Sequence, residues 1–117
     1  MSKKTPEEFQ AAHLDIWKER NRAKRDSLMA DVYAKDIQMH DADFVLNGIS
    51  EVSDFIDTLL EDPDFDFNPA KPLEMVQNGA RLFWNIQTGK GLLTGMDFFV
   101  FENGKVAQLY VFMNPVN

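Results

Sequence analysis

The chain contains no cysteine, which removes disulfides and thiolate chemistry from consideration. Its 2 histidines, His13 and His40, show no ligand spacing, so no metal site is expected. A glycine-rich phosphate loop is missing, and so is the Gly-x-Ser-x-Gly elbow of serine hydrolases; no cofactor is implied by any motif. No apolar run is long enough to cross a membrane, and the stretch from Met1 to Glu8 lacks the apolar core of a secretion signal, so a cytoplasmic location is expected. Positive charge is scarce: 12 Lys and Arg stand against 19 Asp and Glu, a net charge of −7. Such a surface repels phosphate backbones and anionic lipid, so neither nucleic acid nor membrane is an expected partner. The acidic run from Glu61 to Asp66 lacks a calcium-loop pattern and reads as a solvated turn.

What is present fits one domain spanning residues 1–117. Apolar residues make up 44% of the chain, enough for a core, and 10 Phe with 2 Trp suggest a wide aromatic interior or a cavity with aromatic walls. Thr5-Pro6-Glu7-Glu8 predicts a helix start, with Thr5 as cap, Pro6 at the first helical position and Glu8 closing a capping box. Phe9, Ala12, His13, Ile16 and Trp17 then fall on one helical face. Asn21 caps a second predicted helix over residues 22–33, with Leu28, Met29, Val32 and Tyr33 as its inner stripe and Arg25 on the same side. Short strand pieces are expected around Ile37, Met39 and residues 44–46. Ser50 is a candidate cap for a third helix carrying Val52, Phe55, Ile56, Leu59 and Leu60, stopped by Asp62-Pro63.

Beyond residue 64 the pattern is sheet. Asn78-Gly79 and Asn103-Gly104 are two-residue hairpin signals, and Thr88 to Gly91 is a further turn. Helices segregated from an antiparallel sheet define an α+β domain. The last two strands are apolar on both faces, with Phe99 and Phe101 opposed to Phe98 and Val100, and Leu109 and Val111 opposed to Tyr110 and Phe112. Helices can cover one face. A second copy of the chain is the economical cover for the other, so a homodimer through Phe98, Val100, Tyr110 and Phe112 is expected.

Three segments carry a family resemblance: Trp17 to Arg25 followed by Tyr33 to Asp36; His40-Asp41 ahead of Gly48; and Thr94-Gly95-Met96-Asp97-Phe98-Phe99-Val100-Phe101-Glu102-Asn103-Gly104-Lys105-Val106. The chain resembles the SnoaL-like and ketosteroid isomerase-like branch of the nuclear transport factor 2-like superfamily. That resemblance implies a cone-shaped barrel: a curved antiparallel sheet packed with three helices around an apolar pocket. It implies a small-molecule-binding domain that acts as a cofactor-free isomerase, cyclase or dehydratase on a small apolar carbonyl compound, or else a non-catalytic ligand-binding or dimerisation module. It places a general base at Asp41 and a neutral, oxyanion-binding acid at Asp97. The tyrosine of that oxyanion site falls at or beside Trp17, and the first helix holds no tyrosine.

The residues themselves support part of this. Asp97 lies on a strand with almost no other polar group, so its carboxyl must be paired, hydrogen-bonded or protonated; Arg25 and Arg81 are the partners in view. His40 and Asp41 point to opposite faces of a strand, so at most one faces the cavity, and the resemblance favours Asp41. His13 and Trp17 are one helical turn apart on the inner face. A His there is more often a satisfied core residue than a catalyst. Arg25 on an apolar stripe calls for an anionic partner, drawn from Asp97, Asp41 or Glu19, or for a carboxylate ligand. Trp17, His13, Arg25, Phe55, Trp84 and Phe99 are therefore the expected ligand-contacting set around Asp41 and Asp97.

Overall fold

The computed structural model describes residues 4–114. Helix α1 (Pro6–Lys18) begins with the capping box read from the sequence: Thr5 accepts from the Glu8 amide, and the Glu8 side chain accepts from the Thr5 amide. These bonds satisfy two of the amides that a helix start leaves open. The helix buries Phe9, His13, Ile16 and Trp17, the face that its periodicity indicated. Helix α2 (Arg22–Val32) is capped by the Asn21 side chain on the Lys24 amide. It stops one residue short of the expected Tyr33, which is extended and opens strand β1 (Tyr33–His40). Strand β2 (Val45–Asn47) turns back along β1.

Helix α3 (Gly48–Leu59) starts ahead of the expected Ser50 cap: Asn47 takes the cap position without a side-chain bond, and the Glu51 carboxylate reaches back to the Asn47 amide. Four further antiparallel-paired elements precede the last strand: β3 (Asp66–Pro69), β4 (Glu74–Val76), β5 (Gly79–Thr88) and β6 (Gly91–Glu102), with β7 (Lys105–Met113) after them.

The seven strands among the described residues join one curved sheet in the order β2-β1-β7-β6-β5-β3, with β4 alongside β5. The sheet is open, with β2 and β3 at its edges. It is also mixed, because β1 runs parallel to β7, where the sequence pattern suggested antiparallel pairing throughout. A parallel pair needs a long crossover between its strands, and here the intervening chain holds β2, α3 and the four strands β3 to β6, so no local signal announces it.

The first hairpin is displaced by one residue from its sequence signal. Val76 pairs with Gly79, the turn is Gln77-Asn78, and Gln77 takes the positive φ of 54°. This register sets Glu74 opposite Arg81, with a 3.0 Å ion pair, and lays Gly79 under the ring of Phe98. The second hairpin turns at Asn103-Gly104 as expected, both residues having positive φ. Near it, Val100 pairs with Gln108 but Phe101 with Val106, so Ala107 is an extra residue in β7. The bulge explains why adjacent Val106 and Ala107 are both buried.

Ala80, Leu82, Trp84 and Ile86 of β5, Asp97 and Phe99 of β6 and Leu109 of β7 turn toward the helices and are buried. The opposite face carries Phe98, Tyr110 and Phe112, and Phe112 is 56% exposed. Among the described residues no helix is long and apolar enough to cross a membrane.

Candidate functional site

Five polar-tipped side chains from four elements meet inside the core. The inner face of α1 supplies His13 and Trp17, the first residue of β1 supplies Tyr33, and the facing pair of strands β5 and β6 supplies Trp84 and Asp97. The Trp17 indole N–H donates to the Tyr33 hydroxyl at 3.0 Å. His13 Nδ1 lies 2.6 Å from that same hydroxyl, and its Nε2 lies 3.1 Å from Asp97 Oδ2. The Trp84 indole N–H donates to Asp97 Oδ1 at 2.9 Å. His13 and Tyr33 are fully buried and Asp97 is 3% exposed.

The donor inventory gives this chain one direction. A phenol has a single proton. Tyr33 already accepts from Trp17, so its proton goes to His13 Nδ1; burial pushes the Tyr33 phenol well above its ordinary range and keeps that proton in place. Nδ1 is thus an acceptor, and the imidazole is the neutral tautomer with its proton on Nε2, directed at Asp97 Oδ2. Asp97 then receives one N–H on each oxygen, an arrangement that suits a carboxylate. The reverse polarity would put an O–H on Asp97 and an N–H at Nδ1, leaving the Tyr33 proton with no acceptor. Among the described residues no buried side-chain nitrogen or oxygen lacks a partner. A neutral Asp97, the role implied by the resemblance, would have to aim its O–H away from both N–H donors. Neither Arg25 nor Arg81 pairs with it.

Room for Trp84 comes from Gly95, its cross-strand partner. A Cβ at Gly95 would lie 2.4 Å from the Trp84 ring and 2.3 Å from the Phe112 carbonyl. The glycine lets the indole lie flat across β6, and from there its N–H reaches Asp97 two residues further along the strand. The Gly-x-Asp motif of the sequence is in this way a single device: an absent side chain seats the tryptophan that holds the acid.

A cavity of about 240 Å³ opens against this cluster. Its walls include Trp17, Phe55, Phe65, Phe67 and Trp84, and its polar lining is Asp41, Asp62, Asp97, Thr58 and Thr88. Asp41 follows the end of β1, where its amide bonds the Phe44 carbonyl and its side chain accepts from the Asp43 amide. His40 turns the other way, stacks on Tyr110 at 4.4 Å and bonds Gln108. The alternation read from the sequence therefore holds, with Asp41 toward the cavity. Backbone N–H groups of Gly89 and Asp64 hold the Asp62 carboxyl below its usual range. No Lys, Arg or His among the described residues lines the cavity. The Thr58 and Thr88 hydroxyls donate to the carbonyls of Phe55 and Gly91.

Five of the expected site residues (Asp41, Asp97, Trp17, Phe55 and Trp84) thus line one cavity. His13 stands behind Asp97. Phe99 lies deeper still, edge-on to the His13 ring at 4.8 Å, and does not reach the cavity. Arg25 is placed elsewhere. It is fully buried between α2 and α3, bonded to Asp57, to the Ser53 hydroxyl at 3.0 Å and to the Glu19 carbonyl at 2.7 Å. Its partner is an acid of α3, which lies against α2 so that the guanidinium reaches Asp57 before any residue of the sheet. Trp17 contributes a wall but no hydrogen bond to the cavity, because Tyr33 takes its N–H. Tyr33 is the residue that the sequence did not single out. Its signal was a phenol on an apolar stripe, a group that needs a partner when buried.

No protein-family model matches the chain, and no curated protein sequence does. Solved structures do. An isomerase candidate of the SnoaL-like family from Agrobacterium tumefaciens aligns with a TM-score of 0.81 at 18% identity, covering 92% of this chain and 95% of that one. A nuclear transport factor 2-like protein of unknown function from Cytophaga hutchinsonii aligns at 0.75 and 10% identity, over 97% and 94% of the two chains. A ketosteroid isomerase candidate from Kribbella flavida aligns at 0.74 and 17% identity, over 93% and 77%. The fold is that of the SnoaL-like, nuclear transport factor 2-like and ketosteroid isomerase-like proteins.

Proposed function

We propose that the chain is a small-molecule-binding SnoaL-like domain and that Asp41 and Asp97 carry out proton transfer on a small, largely apolar compound held in the cavity. The observation that carries this reading is the meeting of Asp41, just past the end of β1, and Asp97 of β6 on one aromatic cavity. A pure packing core has no use for a carboxylate at 3% exposure, since burying such a group costs several kcal/mol. Asp97 is oriented by two N–H donors and keeps lone pairs free, the condition of a general base. Asp41, at the looser edge of the cavity, is placed to return the proton. This is the chemistry of a cofactor-free isomerase, cyclase or dehydratase.

Binding without turnover is the second reading, and one observation favours it. Every N–H and O–H donor around Asp97 is committed to a protein acceptor, so none is left for a developing enolate oxygen. Asp41→Asn and Asp97→Asn separate the two. Under the enzymatic reading each should lower turnover of a substrate found by screening by about 10²–10⁴-fold while binding persists. Under the second reading only affinity changes. Full turnover in both variants would reject proton transfer by these carboxylates.

We also propose that a second copy of the chain covers the outer sheet face at Phe98, Val100, Tyr110 and Phe112. Exposed Phe112 and Phe98 beside the stacked His40–Tyr110 pair support this.

A further inference from the structure

We propose that the molecule this cavity takes is a small apolar organic cation, an amine carried in its ammonium form and seated against Asp97. The inference deepens the reading of the cavity as a ligand site and rests on it. The two contacts of the Asp97 carboxyl are N–H donors from side chains that bring it no Lys or Arg charge, the indole of Trp84 and the imidazole of His13, whose other nitrogen is taken by Tyr33. Among the described residues no Lys or Arg touches it, and its one ion-pair geometry is with that imidazole. A buried charge with no counter-charge is costly, and an ammonium group arriving from outside offsets that cost.

The walls point the same way. Trp17, Phe67 and Trp84 follow one another at ring-centroid separations of 6.0 and 5.8 Å, and Phe55 adjoins Trp17 at 6.3 Å. Aromatic faces attract cations, most strongly where water is excluded. The remaining charged lining, Asp41 and Asp62, is also negative, and no cationic side chain among the described residues lines the cavity. An anion would meet three carboxylates. A neutral acceptor such as a ketone would meet no free donor. An ammonium brings up to three N–H donors to lone pairs that are open. The cavity, about 240 Å³, corresponds to roughly eight waters' worth of liquid volume, which suits one ring with a short amine arm.

The chain's 2 tryptophans, Trp17 and Trp84, both line the cavity, so intrinsic fluorescence reports its occupancy. Benzylammonium, benzyl alcohol and benzoate should be titrated into the unaltered protein near neutral pH. Benzylammonium should bind at least about tenfold more tightly than the alcohol, the gain of a charge-assisted bond over a neutral one, and benzoate should bind least. Equal or tighter binding of the alcohol would overturn the inference and leave the cavity as a ligand site. No binding of any of the three would remove the ligand site and the inference together. Asp97→Asn, with its fold checked by circular dichroism, should bring the cation and the alcohol to equal affinity. A preference that survived would refute the seat at Asp97. The comparison of the three ligands on the unaltered protein decides the proposal without that variant.

Discussion

Replacing Gly95 by alanine should damage this protein out of proportion to one added methyl. Gly→Ala in a strand with ordinary backbone angles is usually neutral or stabilising by about 0.4–1 kcal/mol, because the unfolded chain loses freedom. Here the sign reverses. The new Cβ would stand 2.3 Å from the Phe112 carbonyl oxygen and 2.4 and 2.5 Å from two atoms of the Trp84 six-membered ring. The carbonyl belongs to the β6–β7 pairing and cannot swing away, so strand separation or ring displacement must follow. Overpacking of this kind costs about 1–3 kcal/mol. Moving the indole also breaks its 2.9 Å bond to Asp97, and a bond to a buried charged group is worth about 1.5–3 kcal/mol. The sum, about 2.5–6 kcal/mol, is a large share of the stability of a domain this size and corresponds to a fall of roughly 10–25 °C in melting temperature. Urea and thermal melts followed by circular dichroism measure it. The same substitution in a Trp84→Leu background should cost less, since one of the two collisions is gone. A Gly95→Ala protein as stable as the parent would refute the account of how Trp84 and Asp97 are held.

Other consequences follow from the same packing. Tyr33→Phe strands the Trp17 N–H and His13 Nδ1 and should cost about 2–4 kcal/mol at neutral pH. Because burial raises the Tyr33 phenol, its contribution is whole below the ordinary phenol value of about 10 and is lost as pH rises beyond it; urea midpoints at about pH 8 and 11 should therefore fall less in the Phe variant than in the parent. Arg25→Met should lower stability by about 2–4 kcal/mol, a figure reduced by the partial exposure of Asp57, while leaving benzylammonium affinity unchanged; loss of binding would return Arg25 to the ligand site. Sedimentation at micromolar concentration should give twice the 13.4 kDa chain mass, and Phe112→Lys should shift it toward the monomer; a monomeric parent would leave the outer face without its proposed cover.

The parts of the fold legible in the sequence are those written in local chemistry. Thr5 and Glu8 specify a helix start within four residues, and Asn103-Gly104 specifies a turn by the backbone angles these residues tolerate. Asn78-Gly79 carries the same signature, yet the turn slips by one residue, because pairing Glu74 with Arg81 and seating Gly79 against Phe98 outweigh a local preference. The inner face of α1 was legible from periodicity, which is why Trp17 and His13 could be placed near the site. The partners of His13 were not, since they lie 20 and 84 residues away. Tyr33 was hidden for a related reason: it completes the apolar stripe of α2 in sequence and belongs to β1 in space. Arg25 announced its need for an acid but not which one, because the packing of α3 on α2 chose Asp57. The two N–H contacts of Asp97 follow only from a hydrogen-bond chain that crosses four elements.

The parallel pairing of β1 with β7 bears on how this chain is made. During synthesis α1, α2 and β1 leave the ribosome before the strands they pack against, because the strand that flanks β1 on its sheet side is residues 105–113 and the acid that engages His13 is residue 97. The early segment can form helices, but β1 keeps an unpaired edge, and the apolar face of α1 keeps no sheet to rest on, until β6 and β7 emerge. Domains of this contact pattern fold late and in one step rather than progressively from the amino terminus. Until then the N-terminal half exposes an apolar helix face, and the pairing of β1 rests on β7 staying joined to β6.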